Sequence, residues 1–288
     1  MSTRSKTFLP AWALLSLATN GLLMLTVILL LNRDRWLSAR LQASDATSVE
    51  PIPEDVSTSL LTKTLPSTPA LGPRHQLNYA QWVTLLRQEA EVAATKNPKH
   101  LTVLAGDSLS LWFPSELLPT ERTWLNQGIS GDTSGGLLNR LDVLDETQPE
   151  TILVMIGIND LIRGVGDRRI LANQRQIIRY LRRVHPQAQI VVQSILPHGG
   201  KKSTWVGRDR LIAIPSSRIR ELNRQLGAIA RSESVSYLDL YPLFADSNGN
   251  IQPELTTDGL HLSPQGYVIW RYALQFFMQV ETEPSKAN

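Results

Sequence analysis

The sequence predicts an α/β domain built on one five-stranded parallel sheet with helices on both faces. Two observations carry that expectation. Five short, mainly apolar runs, Leu101 to Ala105, Thr123 to Asn126, Thr151 to Ile156, Gln189 to Ser194 and Val235 to Leu240, alternate with longer stretches of helical period. The central runs are apolar without a polar alternate face, the pattern of strands covered on both sides, as parallel sheets require.

Taken in order, the ordered domain is expected to begin at Tyr79. Over Tyr79 to Thr95, Trp82, Val83, Leu85, Leu86, Ala90, Val92 and Ala93 recur at helical spacing, and Pro98 stops the helix before the first strand. That strand breaks at Gly106. The second runs into a glycine-rich loop, Gly128, Ile129, Ser130, Gly131, and then a helix expected over Thr133 to Glu146. The third is followed by Gly157, Ile158, Asn159, Asp160 and a helix over Asp167 to His185. On this helix Arg168, Arg175, Arg179, Arg182 and Arg183 fall within about 100° of one another, opposite Ile170, Ile177, Leu181 and Val184. Such a stripe is read either as a solvated face or as a surface for anionic lipid headgroups. The fourth strand leads into a long connection, Leu196 to Ser216, carrying Gly199, Gly200, Lys201, Lys202 and Trp205, which is expected to hang over the carboxyl edge of the sheet. Helices over Ser216 to Ser232 and Ser263 to Val280 bracket the last strand.

The N-terminal quarter reads differently. No charged residue occurs from Leu9 to Leu31. As a helix this stretch reaches roughly 35 Å, enough to cross a hydrocarbon core of roughly 30 Å. Residues 1–31 are therefore expected to be a short tail and an uncleaved transmembrane anchor. A secretory signal is the competing reading, but its apolar core is ordinarily only about 7–15 residues long. Basic residues flank the segment on both sides, Arg4 and Lys6 before it and Arg33, Arg35 and Arg40 after, so charge alone does not set the orientation. Residues 32–78, with Pro51, Pro53, Pro66, Pro69 and Pro73 among many Ser and Thr, read as a disordered linker. The domain is expected over 79–288.

Composition narrows the chemistry. The chain has no cysteine, which removes disulfides, thiol catalysis and cysteine-ligated zinc. A net charge of +3 without a long basic run gives no indication of a nucleic-acid partner. Gly128, Gly131, Gly135 and Gly136 match neither the dinucleotide fingerprint nor the phosphate loop, which also needs a lysine, so no cofactor is expected. Asp258 and His261 lack a second histidine at helical spacing, so no metal is expected either.

In open parallel sheets chemistry is sought beyond the carboxyl ends of the strands. There the sequence places Gly106, Asp107, Ser108, Leu109 after the first strand, Gly131 in the second loop and Asn159 in the third. Asp258, Gly259, Leu260, His261 precede the last helix. Each group has an ordinary structural reading: Ser108 as a helix N-cap, Gly131 as a turn glycine, Asn159 as a turn residue, Asp160 as a helix cap. His198, after the fourth strand, is a rival base but lacks a carboxylate at a useful spacing. Together the groups supply the parts of acyl transfer through a serine: hydroxyl, imidazole, carboxylate, backbone amides and a side-chain amide. Ser108 is not in a G-x-S-x-G elbow, so the α/β-hydrolase fold is not indicated.

These four blocks, in this order, resemble an SGNH hydrolase of the GDSL family over Leu101 to Val280. The stretch Ile129 to Thr133 is similar to bacterial thioesterase/lysophospholipases, and Leu196 to His261 to the catalytic subunits of intracellular platelet-activating-factor acetylhydrolases. The resemblance implies a flavodoxin-like three-layer α/β/α fold. It makes Ser108 the nucleophile, His261 the general base and Asp258 its orienting acid, with Ser108, Gly131 and Asn159 as oxyanion-hole donors. It implies a serine esterase acting on a lipid, an acetylated glycan or a small acyl ester, with the domain on the outer, periplasmic side of the membrane. An O-acyltransferase acting on a carbohydrate and a silent glycan- or lipid-binding domain are the alternative expectations.

Overall fold

The computed structural model describes residues 77–282. The anchor expected over residues 9–31 and nearly all of the expected linker lie outside them. Among the described residues no helix is long and apolar enough to cross a membrane.

The first helix, α1 (Tyr79–Lys96), starts at a reciprocal cap. The Asn78 side chain accepts from the Gln81 amide, and the Gln81 side chain accepts from the Asn78 amide. It ends at Asn97 in the left-handed conformation, φ 39°. Five parallel strands follow: β1 (Leu101–Gly106), β2 (Thr123–Gly128), β3 (Thr151–Met155), β4 (Gln189–Gln193) and β5 (Ser236–Leu238). Their order across the sheet is β2-β1-β3-β4-β5. This is the flavodoxin-like order, in which connections leave β1 and β3 toward opposite sides and open a crevice between their carboxyl ends.

Alternate residues of each central strand face opposite layers. Val103, Ala105, Ile152, Val154 and Ile190 pack under Ala90 of α1 and under Ile177 and Leu181 of α5 (Asp167–Val184). Leu104, Leu153 and Val191 face the other way, against Phe244, Tyr267, Trp270 and Leu274. These come from α8 (Tyr241–Phe244) and α9 (Pro264–Thr282). Val192 and Ile178 meet Leu226, Ile229 and Ala230 of α7 (Ser216–Ser232). Each buried aliphatic or aromatic side chain contributes roughly 1.5–3 kcal/mol of transfer free energy, so both layers are held by the same sheet.

The expected strands and long helices are present, with ends shifted by a few residues. Val235 to Leu240 shortens to three residues because Ser194 Oγ accepts from the amides of Leu240 and Tyr241, turning the chain into α8. The single helix expected over Thr133 to Glu146 is not formed. The chain makes α3 (Ser134–Leu138) and then a 3₁₀ turn, Leu141–Leu144. The break falls at Arg140, whose buried guanidinium donates to Asp132 Oδ2 and to the Gly106 carbonyl. Three further short helices, α2 (Ser108–Leu111), α4 (Ile158–Ile162) and α6 (Arg208–Ile212), lie in the connections.

Candidate active site

Ser108 opens α2 directly after β1. Asp107 is the cap of this helix: its Oδ1 accepts from the Leu109 amide at 3.0 Å. Ser108 is therefore the first helical residue and not the cap, with its hydroxyl left for other work. The helix lies close on β2, since a Cβ at Gly128 would overlap the Asp107 carbonyl and the Leu111 backbone. Tyr267 of α9 donates its hydroxyl to the Leu109 carbonyl at 3.1 Å, fixing the same turn from the other layer.

Asn159 reaches this turn from α4, at the end of the neighbouring strand β3. Its Nδ2 lies 3.3 Å from Asp107 Oδ2, so the amide sits one residue from Ser108. The β2 loop approaches through Gly131, whose φ of +75° is a left-handed conformation that glycine adopts without a Cβ penalty. Arg163 Nη2 donates to the Gly131 carbonyl at 2.6 Å, tying this loop to the end of α4. Among the described residues no acceptor is bonded to the Ser108 or Gly131 amide. Ser108, Gly131 and Asn159 thus come from three adjacent strands at the crevice between β1 and β3.

His261 and Asp258 share a self-bonded turn. Asp258 Oδ1 accepts from the amides of Leu260 and His261 at 2.9 and 2.8 Å, and Oδ2 lies 2.8 Å from His261 Nδ1. The carboxylate only accepts, so Nδ1 carries the hydrogen and Nε2 presents a lone pair. Burial raises the Asp258 pKa, but the amides and the imidazole outweigh it and hold the carboxyl below its ordinary value. The imidazole lies against Trp112, ring centroids 4.3 Å apart. Trp112 caps the helix that Ser108 opens, and its amide donates to the Ser108 carbonyl. The imidazole therefore lies against the residue one helical turn after the serine.

Three buried carboxylates lie beneath the site. Burial pushes Asp107 up to about 7, helped by the charges of Asp132 and Asp160 and opposed by the Leu109 amide and Asn159. Burial also raises Asp132 and Asp160. Asp132 is partly compensated by Arg140 at 2.8 Å; Asp160 takes the amide and hydroxyl of Ser134 at 2.8 and 2.6 Å. Asp160 thus satisfies the first amide of α3, a helix whose cap is Thr133.

His198 is buried, with Nε2 2.8 Å from the Ile214 carbonyl and Nδ1 accepting from the Gly200 amide at 3.0 Å. Both ring nitrogens are committed to holding the loop. The connection after β4 does not stand free over the site. The amides of Thr204 and Trp205 donate to the Asp258 carbonyl, and that of Gly199 to the Gly259 carbonyl. It backs the dyad turn, with a cavity of about 140 Å³ between them. The Asp132–Arg140 pair, Arg163 and the Trp112 contact had no signal in sequence that assigned them to the site. Their partners are set by loop paths rather than by spacing. Among the described residues no group of three or more His, Asp and Glu is placed to hold a metal ion.

The model of the GDSL-like lipase/acylhydrolase family matches residues 102–269, from β1 into α9. Platelet-activating factor acetylhydrolase IB subunit alpha1 of Bos taurus is 30% identical over 193 residues, 65% of this chain and 78% of its own. Esterase TesA of Pseudomonas aeruginosa is 27% identical over 138 residues, 48% of this chain and 60% of its own. A solved structure described as a putative platelet activating factor from Streptococcus pneumonia is similar at TM-score 0.63 and 27% identity, covering 69% of this chain and 92% of that one.

Proposed function

The chain belongs to the GDSL-like lipase/acylhydrolase family and is a hydrolase, and from that premise we propose that it is a membrane-tethered serine esterase acting through an acyl-Ser108 intermediate. The observation that carries the catalytic part is the 2.8 Å contact of Asp258 with His261 Nδ1, which leaves Nε2 as the base.

In this reading Ser108 Oγ attacks the ester carbonyl carbon while its proton passes to His261 Nε2. Asp258 keeps the imidazole in the required tautomer and stabilises the imidazolium. The Ser108 and Gly131 amides and Asn159 Nδ2 donate to the carbonyl oxygen as it becomes negative. Collapse expels the alcohol, which takes the proton back from His261. Water, deprotonated by the same imidazole, then attacks the acyl-serine and releases the acid. Asn159 is shared with Asp107 at 3.3 Å, a weak bond that an oxyanion would displace at little cost.

The relatives' names support an acyl ester, including an acetyl ester of a lipid, as the substrate class. The uncharged run Leu9 to Leu31 supports an anchor, with residues 32–78 as a tether and the domain on the outer face of the membrane. Hydrolysis of p-nitrophenyl esters from acetate to a long acyl chain, by the full chain beside Ser108→Ala, tests the chemistry. Turnover abolished in the variant is expected; turnover retained there would remove Ser108 from the mechanism. Protease protection of the domain in spheroplasts would overturn the outward orientation.

A further inference from the structure

The two long helices α5 and α7 pack side by side in one layer, and arginine is the commonest residue on their exposed surface. They carry ten arginines, Arg168, Arg169, Arg175, Arg179, Arg182 and Arg183 on α5 and Arg218, Arg220, Arg224 and Arg231 on α7, and no lysine. Against them stand Asp167, Glu221 and the adjoining Glu233. The excess of seven exceeds the +3 of the whole chain, so the remainder of the sequence is net acidic. Glu233 pairs with Arg175 and Arg179, Asp167 with Arg218 and Glu221 with Arg224. Arg168, Arg169, Arg182, Arg183, Arg220 and Arg231 have no carboxylate within ion-pair distance among the described residues. All six are exposed. Between the helices runs a groove with an apolar floor, Leu171, Ala172, Ala228 and Ile229, and a rim that includes Arg168 and Arg175.

We infer that this arginine face docks on an anionic phospholipid surface. Unpaired guanidiniums fit phosphate oxygens, and clustered basic residues beside a bilayer are attracted by its negative surface potential. Two features favour lipid over nucleic acid. The groove floor is aliphatic, without the exposed aromatic rings on which bases stack; Tyr180, the one aromatic of α5, lies under Arg183. The chain also enters the domain at Asn78 through α1, which shares the layer of α5, and the uncharged run Leu9 to Leu31 stands upstream of that entry. The second of these features rests on the anchor reading; the first does not. With the face on the headgroups, the carboxyl edge of the sheet, and with it Ser108, opens sideways, one helix layer above the lipid.

The chain has no cysteine, so Ala172→Cys gives one labelling site in the groove and Phe276→Cys one on α9, in the opposite layer. Each full-length variant is labelled with an environment-sensitive fluorophore and incorporated into neutral phosphatidylcholine vesicles or into vesicles containing phosphatidylglycerol. Burial of the residue-172 probe only in anionic vesicles, lost at about 1 M salt, is expected, because the Debye length there is about 3 Å. The residue-276 probe should not respond. Adding Arg168→Glu and Arg175→Glu should weaken the residue-172 response at least tenfold in the anionic lipid required. Vesicle-bound protein whose residue-172 probe is indifferent to lipid charge would overturn the inference while leaving the anchor standing. Failure to associate with neutral vesicles would instead overturn the anchor; a residue-172 response to anionic vesicles would then still support the face. An equal response to a charge-matched RNA oligonucleotide in place of vesicles would overturn the lipid assignment.

Discussion

Asp258→Asn separates the chemical role of this carboxylate from its structural one, because the turn itself dictates how the amide must lie. Oδ1 accepts from two backbone amides, Leu260 and His261, while Oδ2 meets only His261 Nδ1. An asparagine that turned its NH₂ toward the backbone would oppose two donors; keeping its oxygen there opposes none. The NH₂ group is therefore placed against Nδ1, which can accept it only by giving up its hydrogen. The imidazole proton moves to Nε2, and the nitrogen that the proposed mechanism needs as a base becomes a donor. The equivalent substitution in a well-studied serine protease lowers kcat by about 10⁴ with geometry intact, roughly 5 kcal/mol in barrier. The same loss is expected here for p-nitrophenyl acetate at neutral pH, with KM little changed. Thermal unfolding should move by only a few degrees, since both backbone bonds persist. A folded variant retaining more than a tenth of wild-type kcat would refute the tautomer argument.

Asn159→Ala removes a donor aimed at the developing oxyanion, so kcat should fall about 10²–10³-fold, or about 2.7–4 kcal/mol, and a defect confined to KM would refute that role. Asp107 is raised from 3.8 to about 7 in the folded chain. The stability due to its neutral form is full below about pH 3.8 and is lost as pH rises to about 7, a swing of roughly 4 kcal/mol at about 1.4 kcal/mol per pH unit. Asp107→Asn cannot ionise, so the variant should gain on the wild type between pH 4 and 7 in urea midpoints; a pH-independent difference would refute the burial argument. Trp270 is fully buried, contacts Phe113 and Tyr267, and donates to Gln193 Oε1 at 2.7 Å. Trp270→Ala should cost about 3–5 kcal/mol in urea unfolding, and a loss under about 1 kcal/mol would mean that the α9 layer collapses onto the void.

How much of this was legible in sequence depended on the length over which a signal repeats. β1 and β3 read clearly because every residue is buried, and α5 and α7 because an apolar stripe persists for four or five turns. The helices α2, α4, α6 and α8 have four or five residues, too few for a period to appear. Thr133 to Glu146 failed for a different reason. Arg140 looks like an ordinary surface residue of a helix, and only the buried Asp132 and the Gly106 carbonyl make it worth breaking the helix to turn it inward. Asp160 was read as a local cap because local caps are what sequence shows; its actual partner, Ser134, lies 26 residues away.

The site divides along the same line. Ser108, Gly131 and Asn159 stand after β1, β2 and β3, so the sheet order brings them to one crevice; spacing from a strand end marks the positions, while the roles given to them come from the family resemblance. Asp258 and His261 follow no strand directly. The resemblance points to them, and three residues is the span of a turn in which a carboxylate takes its own backbone amides and still reaches the ring. What seats that turn against Ser108 is tertiary: the Trp112 ring on one side and the Thr204 and Trp205 amides on the other. Ser108, Gly131 and Asn159 are thus held by the core of the sheet, and Asp258 and His261 by loops packed on it. The connection after β4 that borders the dyad turn has no periodicity from which its path could be read. Residues at strand ends are legible as short motifs; loop paths become visible only once the loops are placed.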